Sequence, residues 1–143
     1  MNMMISYQEL VRTFLRTLGW TPQKMAIEWN NVDIALFDSL PRKDENLSVV
    51  VEAKKKDSSC LTAVSQAEGY AKNKNNCQRL IVTDGLRYGV YIKDNIKNEF
   101  QLYAYANLLR LQENYPTYNC HGACEAFRAM TPEWNLNHFV SYK

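Results

Sequence analysis

Residues 47–54, "LSVVVEAK", constrain the fold more than any other stretch of this chain. Three consecutive β-branched valines favour extended backbone, and an unbroken apolar run predicts a strand covered on both faces. Such a strand does not ordinarily finish on Glu52 and Lys54. Side chains alternate along a strand, so Glu52 and Lys54 share one face and Ala53 takes the other. An acid and an ammonium aimed together from a central strand are costly unless they pair, hold a metal ion or meet water in a cleft. The ordinary alternative is a solvated ion pair at the strand end, contributing about 0–1 kcal/mol.

The remaining pattern supplies neighbours for this strand. Leu10, Val11, Phe14, Leu15 and Leu18 lie at helical spacing, with Ser6 a candidate N-cap and Gly19 a natural stop. "KMAIEW" predicts a short strand, Asn30-Asn31 a turn, and "VDIALFD" an alternating strand that ends before Pro41 and the polar "RKDEN". After "KKDSS", Leu61, Val64, Ala67 and Ala71 again have helical spacing. "QRLIVTDG" predicts a strand closed by Asp84-Gly85, and "RYGVYIKD" its hairpin partner or neighbour. "EFQLYAY" predicts a final strand, followed by two short helices, "NLLRLQENY" and "GACEAFRAM", separated by Pro116. The helix between "VVVEAK" and "RLIVT" serves as a crossover and favours parallel pairing of those strands. The expected class is α/β around a mixed sheet. The 143 residues suit a single domain, 1–143, with a core over about 5–115 and a C-terminal helical extension over about 116–143.

Composition narrows the setting without naming a function. Hydrophobic content of 46% and charged content of 22% are ordinary for a globular protein. The N-terminal "MNMMISYQEL" lacks the basic start and apolar middle of a secretory signal, and no stretch has transmembrane length. A cytoplasmic protein with no membrane partner is expected. The cysteines at 60, 77, 120 and 124 are then expected as thiols rather than disulfides. A net charge of +2 neither requires nor excludes a basic surface on one face.

Chemistry concentrates near residue 52. Asp33, in "NNVDIAL", can lie beside Glu52 if the two strands are neighbours. Two carboxylates converging near a lysine repel one another, and a hard divalent cation such as Mg²⁺ relieves the repulsion. Lys54 could then orient or deprotonate an attacking water, or stabilise charge on a phosphate.

Asp33 on one strand, then Glu52-x-Lys54 at the end of the next, resembles the PD-(D/E)xK nuclease superfamily. Gln66 and Tyr70, in "QAEGY", are similar to the QxxxY motif of one branch of it. "LIVTDGLRYGVY" and "YANLLRLQENYP" extend the resemblance to the N-terminal nuclease domain of type I restriction-enzyme motor subunits, over roughly residues 5–115. Val32 stands before Asp33 where the name of the motif has proline. The resemblance implies a restriction-endonuclease-like three-layer fold, a central mixed sheet flanked by helices, and endonucleolytic hydrolysis of DNA phosphodiester bonds with Mg²⁺ or Mn²⁺. It implies Asp33, Glu52, Lys54, Gln66 and Tyr70 as catalytic residues. The metal ligands it implies are Asp33, Glu52 and the backbone carbonyl of Ala53, with Glu9 of the first helix as a further candidate. The implied partners are DNA and a translocase or helicase domain or restriction-modification subunits. No Walker A loop occurs in these residues, so any motor would lie elsewhere in a longer protein or in a partner. The alternative is a non-catalytic DNA-binding or subunit-interaction domain that retains the nuclease fold.

Other polar residues have both ordinary and functional readings. Lys55, Lys56, Lys72, Lys74, Arg79 and Arg87 could add a phosphate-binding surface or simply be solvated. Glu68 is expected as an exposed helix residue. Cys120, His121 and Cys124, with His138 downstream, invite a zinc reading. Tetrahedral sites usually show two well-formed ligand pairs, and His121 directly follows Cys120, so no zinc is expected. Trp20, Trp29 and Trp134 are expected in the core and its rim rather than as base-stacking platforms.

Overall fold

A computed structural model describes residues 7–54 and 64–142. Helix α1 spans Tyr7–Thr17 and buries Val11 and Leu15 completely, so the predicted apolar stripe is its packed face. It ends through Gly19, whose φ of +117° is left-handed backbone that glycine adopts without strain. Ser6 lies outside the described residues. Strands β1 (Met25–Trp29) and β2 (Val32–Phe37) form a hairpin. Its turn residues Asn30 and Asn31 both have positive φ, the conformation that matches the twist of flanking strands.

After a loop containing the polar "RKDEN" come β3 (Leu47–Ala53), α2 (Val64–Ala71), β4 (Arg79–Thr83) and β5 (Arg87–Asp94). Strand β6 (Glu99–Asn107) is followed by two-residue strands β7 (Asn114–Tyr115) and β8 (Cys120–His121), then α3 (Ala123–Ala129). The chain is thus mixed α/β. Its 8-stranded sheet has the order β1-β2-β3-β4-β5-β6-β8-β7. The β3–β4 pair is parallel, as the crossover through α2 requires, and so is β6–β8; the other neighbours are antiparallel.

Helices cover both faces. Val11 and Leu15 of α1, with Ala123 and Ala126 of α3, pack on Ile34, Val49, Val51 and Val90. On the opposite face Ala67 and Ala71 of α2 meet Ala35, Val50, Leu80 and Val82. The consecutive valines of β3 therefore feed two different cores, which is why residues 49–51 are all apolar rather than alternating. No helix among the described residues is long and apolar enough to cross a membrane.

The sequence expectation differs from the structure at residues 107–115, where no helix forms. Strand pairing runs through Asn107 opposite Arg87, and the Leu108 amide still donates to the Leu86 carbonyl at 2.8 Å. The Asn107 side chain then accepts the Leu109 amide at 3.0 Å, making a side-chain-closed turn that ends the strand. Leu109 and Leu111 are exposed, so their apolar spacing has no core to face. The segment after Pro116 is also more than a helical extension. It supplies β8 to the sheet, and α3 buries Ala123, Ala126 and Ala129 in the first core.

Gly122, between β8 and α3, is required by close approach rather than by dihedral. A Cβ there would overlap the backbone of Gln112, Glu113 and Asn114. These contacts are held by Gly122 N–H donating to the Glu113 carbonyl (3.0 Å) and Ala123 N–H donating to that of Gln112 (2.7 Å). Gly69 in α2 has open space around the corresponding position. Gly122→Ala should destabilise the protein by about 3 kcal/mol, the cost of forced overpacking. Gly69→Ala should stabilise it by about 0.5–1 kcal/mol through helix propensity. Urea unfolding of both variants measures the contrast.

Candidate functional site

The site begins where a ladder stops. In the β2–β3 register, Ile34 pairs with Val51, Ala35 with Val50 and Leu36 with Val49. One step further the same register sets Asp33 opposite Glu52, on the sheet face that carries Ala35 and Val50. Lys54, two residues beyond Glu52, belongs to that face as well. Regular pairing ends here and side chains take over the backbone groups. The Ala53 amide donates to Asp33 Oδ2 at 2.8 Å, and the Asp33 amide donates to the Glu52 carboxylate. Each carboxylate thus holds the main chain of the other strand. The Lys54 amide donates to the Thr83 carbonyl at 2.7 Å, which keeps the end of β3 on β4.

Lys54 Nζ lies 3.4 Å from Glu52 Oε2. The pair is not a solvated one, because the Glu52 side chain is 7% exposed and that of Lys54 33%. Burial pushes the Glu52 carboxyl above its ordinary value of 4.5, and the neighbouring Asp33 charge pushes it further. Lys54 and the Asp33 amide pull in the other direction without cancelling the rise. Two carboxylates against one partly exposed ammonium leave an excess of negative charge in a half-enclosed place. A hard divalent cation fits that donor set, since Mg²⁺ is typically held by one or two carboxylates with water completing its shell. Among the described residues no group of three or more His, Cys, Asp and Glu side chains could hold a metal ion. The fit therefore rests on Asp33 and Glu52, with backbone oxygen and water as further donors.

The other expected site residues lie on α2 and α1. Tyr70, on α2, donates its hydroxyl to Asp44 Oδ1 (3.0 Å) and accepts from Asn30 Nδ2 (3.3 Å). Lys74 sits over its ring at 4.5 Å, and Trp29 Nε1 donates to the same Asp44 oxygen at 3.1 Å. Tyr70 thereby ties α2 to the β1–β2 turn and to the loop before β3. Burial raises its pKa above the ordinary tyrosine value. The backbone of Gln66 lies one turn earlier on α2, and its side chain is outside the described residues. Glu9 is exposed in the first turn of α1 and takes both its carboxylate oxygens to Arg12. Its neighbour Gln8 reaches the site, with Nε2 3.4 Å from Asp33 Oδ1. No motif marks Gln8; it belongs to the site because α1 begins beside the start of β2.

Of the basic residues that could face a phosphate, Lys74, Arg79 and Arg87 have protein partners. Lys55 and Lys56 lie outside the described residues, as does Cys60. Lys72 is exposed and Lys74 is engaged with Tyr70 and Asp44. Arg87 Nε donates to the buried Asp84 at 2.7 Å, closing the turn between β4 and β5. Arg79 is a clear correction: it is 3% exposed and faces inward, where burial lowers its pKa to about 10. Glu68 is not a free surface acid, because Oε2 accepts the Phe100 amide at 2.7 Å. Among the cysteines of the zinc reading, Cys120 is buried and Cys124 exposed. His121 Nε2 meets the Val140 carbonyl at 2.7 Å, and His138 Nδ1 accepts the Asn135 amide. Trp20 and Trp134 are buried and Trp29 is half-buried.

A raised carboxyl pKa has a definite consequence for stability. The folded state binds the Glu52 proton more tightly than the unfolded chain, so ionisation costs stability as pH rises above 4.5, its ordinary value. The cost is complete above the folded-state value and disappears in acid. Glu52→Gln should therefore raise Tm by a few degrees at neutral pH in EDTA, with the advantage vanishing in acid. If Asp33 and Glu52 hold a divalent cation, added Mg²⁺ should stabilise the wild type and leave Glu52→Gln unchanged. Thermal unfolding with and without Mg²⁺ across that pH range measures both effects.

Comparison of the chain with protein-family models, curated proteins and solved structures gives no match.

Proposed function

We propose that this chain is a divalent-metal-dependent endonuclease domain of the restriction-endonuclease-like type, hydrolysing DNA phosphodiester bonds. The observation that carries the reading is the exchange between Asp33 and Glu52 across β2 and β3, with Lys54 Nζ 3.4 Å from the buried glutamate. The resemblance of Asp33, Glu52-x-Lys54 and Gln66-xxx-Tyr70 to the PD-(D/E)xK pattern supports it and directs it toward DNA.

In this reading Asp33, Glu52 and the Ala53 carbonyl hold Mg²⁺ or Mn²⁺, which supplies Lewis acidity and neutralises phosphate charge. The protein provides the rest. The backbone amides donated to the two carboxylates fix their positions before substrate arrives. Glu52, buried and in contact with Lys54, keeps the ammonium at the mouth of the site. Lys54 is exposed enough to meet an attacking water or a non-bridging phosphate oxygen, and it has three N–H donors for the purpose. Its charge opposes the negative charge that grows during in-line displacement. Gln8 donates to the second oxygen of Asp33, Oδ1. A translocase or restriction-modification partner would bring DNA to the domain, from a longer chain or a separate subunit.

The test is nicking of supercoiled plasmid by the wild type and by Asp33→Ala, Glu52→Ala and Lys54→Ala. Wild type should nick with Mg²⁺ or Mn²⁺ and stop in EDTA. Either carboxylate substitution should abolish cleavage, and Lys54→Ala should lower it about 100-fold or more. Equal activity in all the proteins would trace cleavage to a contaminant. DNA binding without cleavage under either metal, with candidate partner subunits supplied, would replace the proposal by the non-catalytic reading.

A further inference from the structure

A second polar site lies at the other end of the same strands. Ser48 is the second residue of β3, Arg79 opens β4, and Asp38 follows the end of β2. With Gln78 and the segment after α3 they line a cleft of about 510 Å³. Ser48 precedes Glu52 by four residues, so the cleft is about 13 Å along β3 from the carboxylates. It is a separate feature and does not rest on the nuclease reading.

Its floor contains a buried cation. Arg79 is 3% exposed, and its guanidinium carbon lies 5.7 Å and 5.6 Å from the rings of Trp20 and Trp134. Nη1 donates to the carbonyls of Ala129 (2.8 Å) and Thr131 (2.6 Å), and Nη2 donates to Ser48 Oγ (3.0 Å). Those bonds use three of the five N–H donors a guanidinium carries. Among the described residues no carboxylate approaches it within 4.0 Å, the reach of an ion pair. A buried charge with spare donors and no counter-ion is expensive. Two further groups in the cleft wall are unsatisfied: Gln78 Oε1, an acceptor, and Trp134 Nε1, a donor on a residue 4% exposed.

Charge selects the ligand. Asp38 and Glu133, both exposed, line the same cleft and act on Arg79 through space. A simple anion would match Arg79 but face two carboxylates. A simple cation would match the carboxylates but face the buried guanidinium. A neutral ligand would leave Arg79 without a counter-ion. We infer that the cleft binds a zwitterion of the α-amino acid class, its carboxylate against Arg79 and its ammonium against Asp38 and Glu133. Leu136, also in the wall and partly exposed, offers apolar surface to a side chain.

The test uses the whole chain and free L-α-amino acids supplied one at a time. Each is compared with its N-acetyl derivative, which lacks the ammonium, and with its carboxamide, which lacks the carboxylate. At least one free amino acid should give a saturable rise in Tm and move the Trp134 indole N–H resonance, assigned through Trp134→Phe. Its two derivatives should bind at least about 10-fold more weakly. Arg79 also supports the fold, so the decisive variant is Asp38→Asn with Glu133→Gln, at two exposed positions. That variant should keep the wild-type Tm and bind the amino acid at least about 10-fold more weakly. Overturning results are no saturable response to any amino acid, an N-acetyl derivative binding as well as its parent, or unchanged affinity in the double variant.

Discussion

Between β2 and β3, Ile34 and Val51 meet on one face of the sheet while Ala35 and Val50 meet on the other. Because side chains alternate with a period of two, a slip of one residue would send each of these pairs into the wrong core. The register is therefore pinned by apolar burial on both sides. Pinned in this way, it brings Asp33 opposite Glu52, and both acids must stay even though they repel. What makes the juxtaposition tolerable is that the ladder stops there. The Ala53 and Asp33 amides, which would otherwise need strand partners, donate to the two carboxylates. The hydrophobic cores thus impose the geometry, and the backbone donors stabilise its charge.

The same sheet handles buried polarity differently at its two ends. At the carboxylate end the excess charge is negative and the Lys54 ammonium stands at the opening. At the other end a single guanidinium is enclosed between two indoles and held mainly by carbonyl oxygens. Arg79 links the start of β4 to β3 through Ser48 and to the end of α3 through Ala129 and Thr131. Asp84 gives a third solution: buried at the turn after β4, it accepts the Leu86 and Arg87 amides and the Arg87 side chain. In each case main-chain groups do much of the work that a salt bridge would do alone.

Residues with local signals were legible, and those whose roles depend on distant backbone were not. The stripe of Val11 and Leu15, the Asn30-Asn31 turn and the β3–α2–β4 crossover follow from spacing within a few residues of one another. Residues 107–115 failed that way of reading because pairing with β5 holds the chain extended as far as Asn107 and the leucines beyond it have no core to face. Tyr70 stands on the expected helix, yet its hydroxyl partners are Asp44 and Asn30, distant in sequence and invisible in any motif. Gln8 reaches Asp33 only because α1 starts where β2 does.

From its sequence alone this chain is committed to an apolar strand at residues 47–53, a parallel neighbour reached through α2, and Glu52 and Lys54 on a shared face. Those properties are local, since strand period and crossover length act within a short span of chain. Only the tertiary structure decided that Asp33 stands across from Glu52, that Glu52 is buried rather than solvated, and that Arg79 points inward to carbonyls some 50 residues away. Such outcomes depend on which strands become neighbours and in what register, and on which helix end covers a strand. Those choices are made by burial summed over the whole core, which no short stretch of sequence contains.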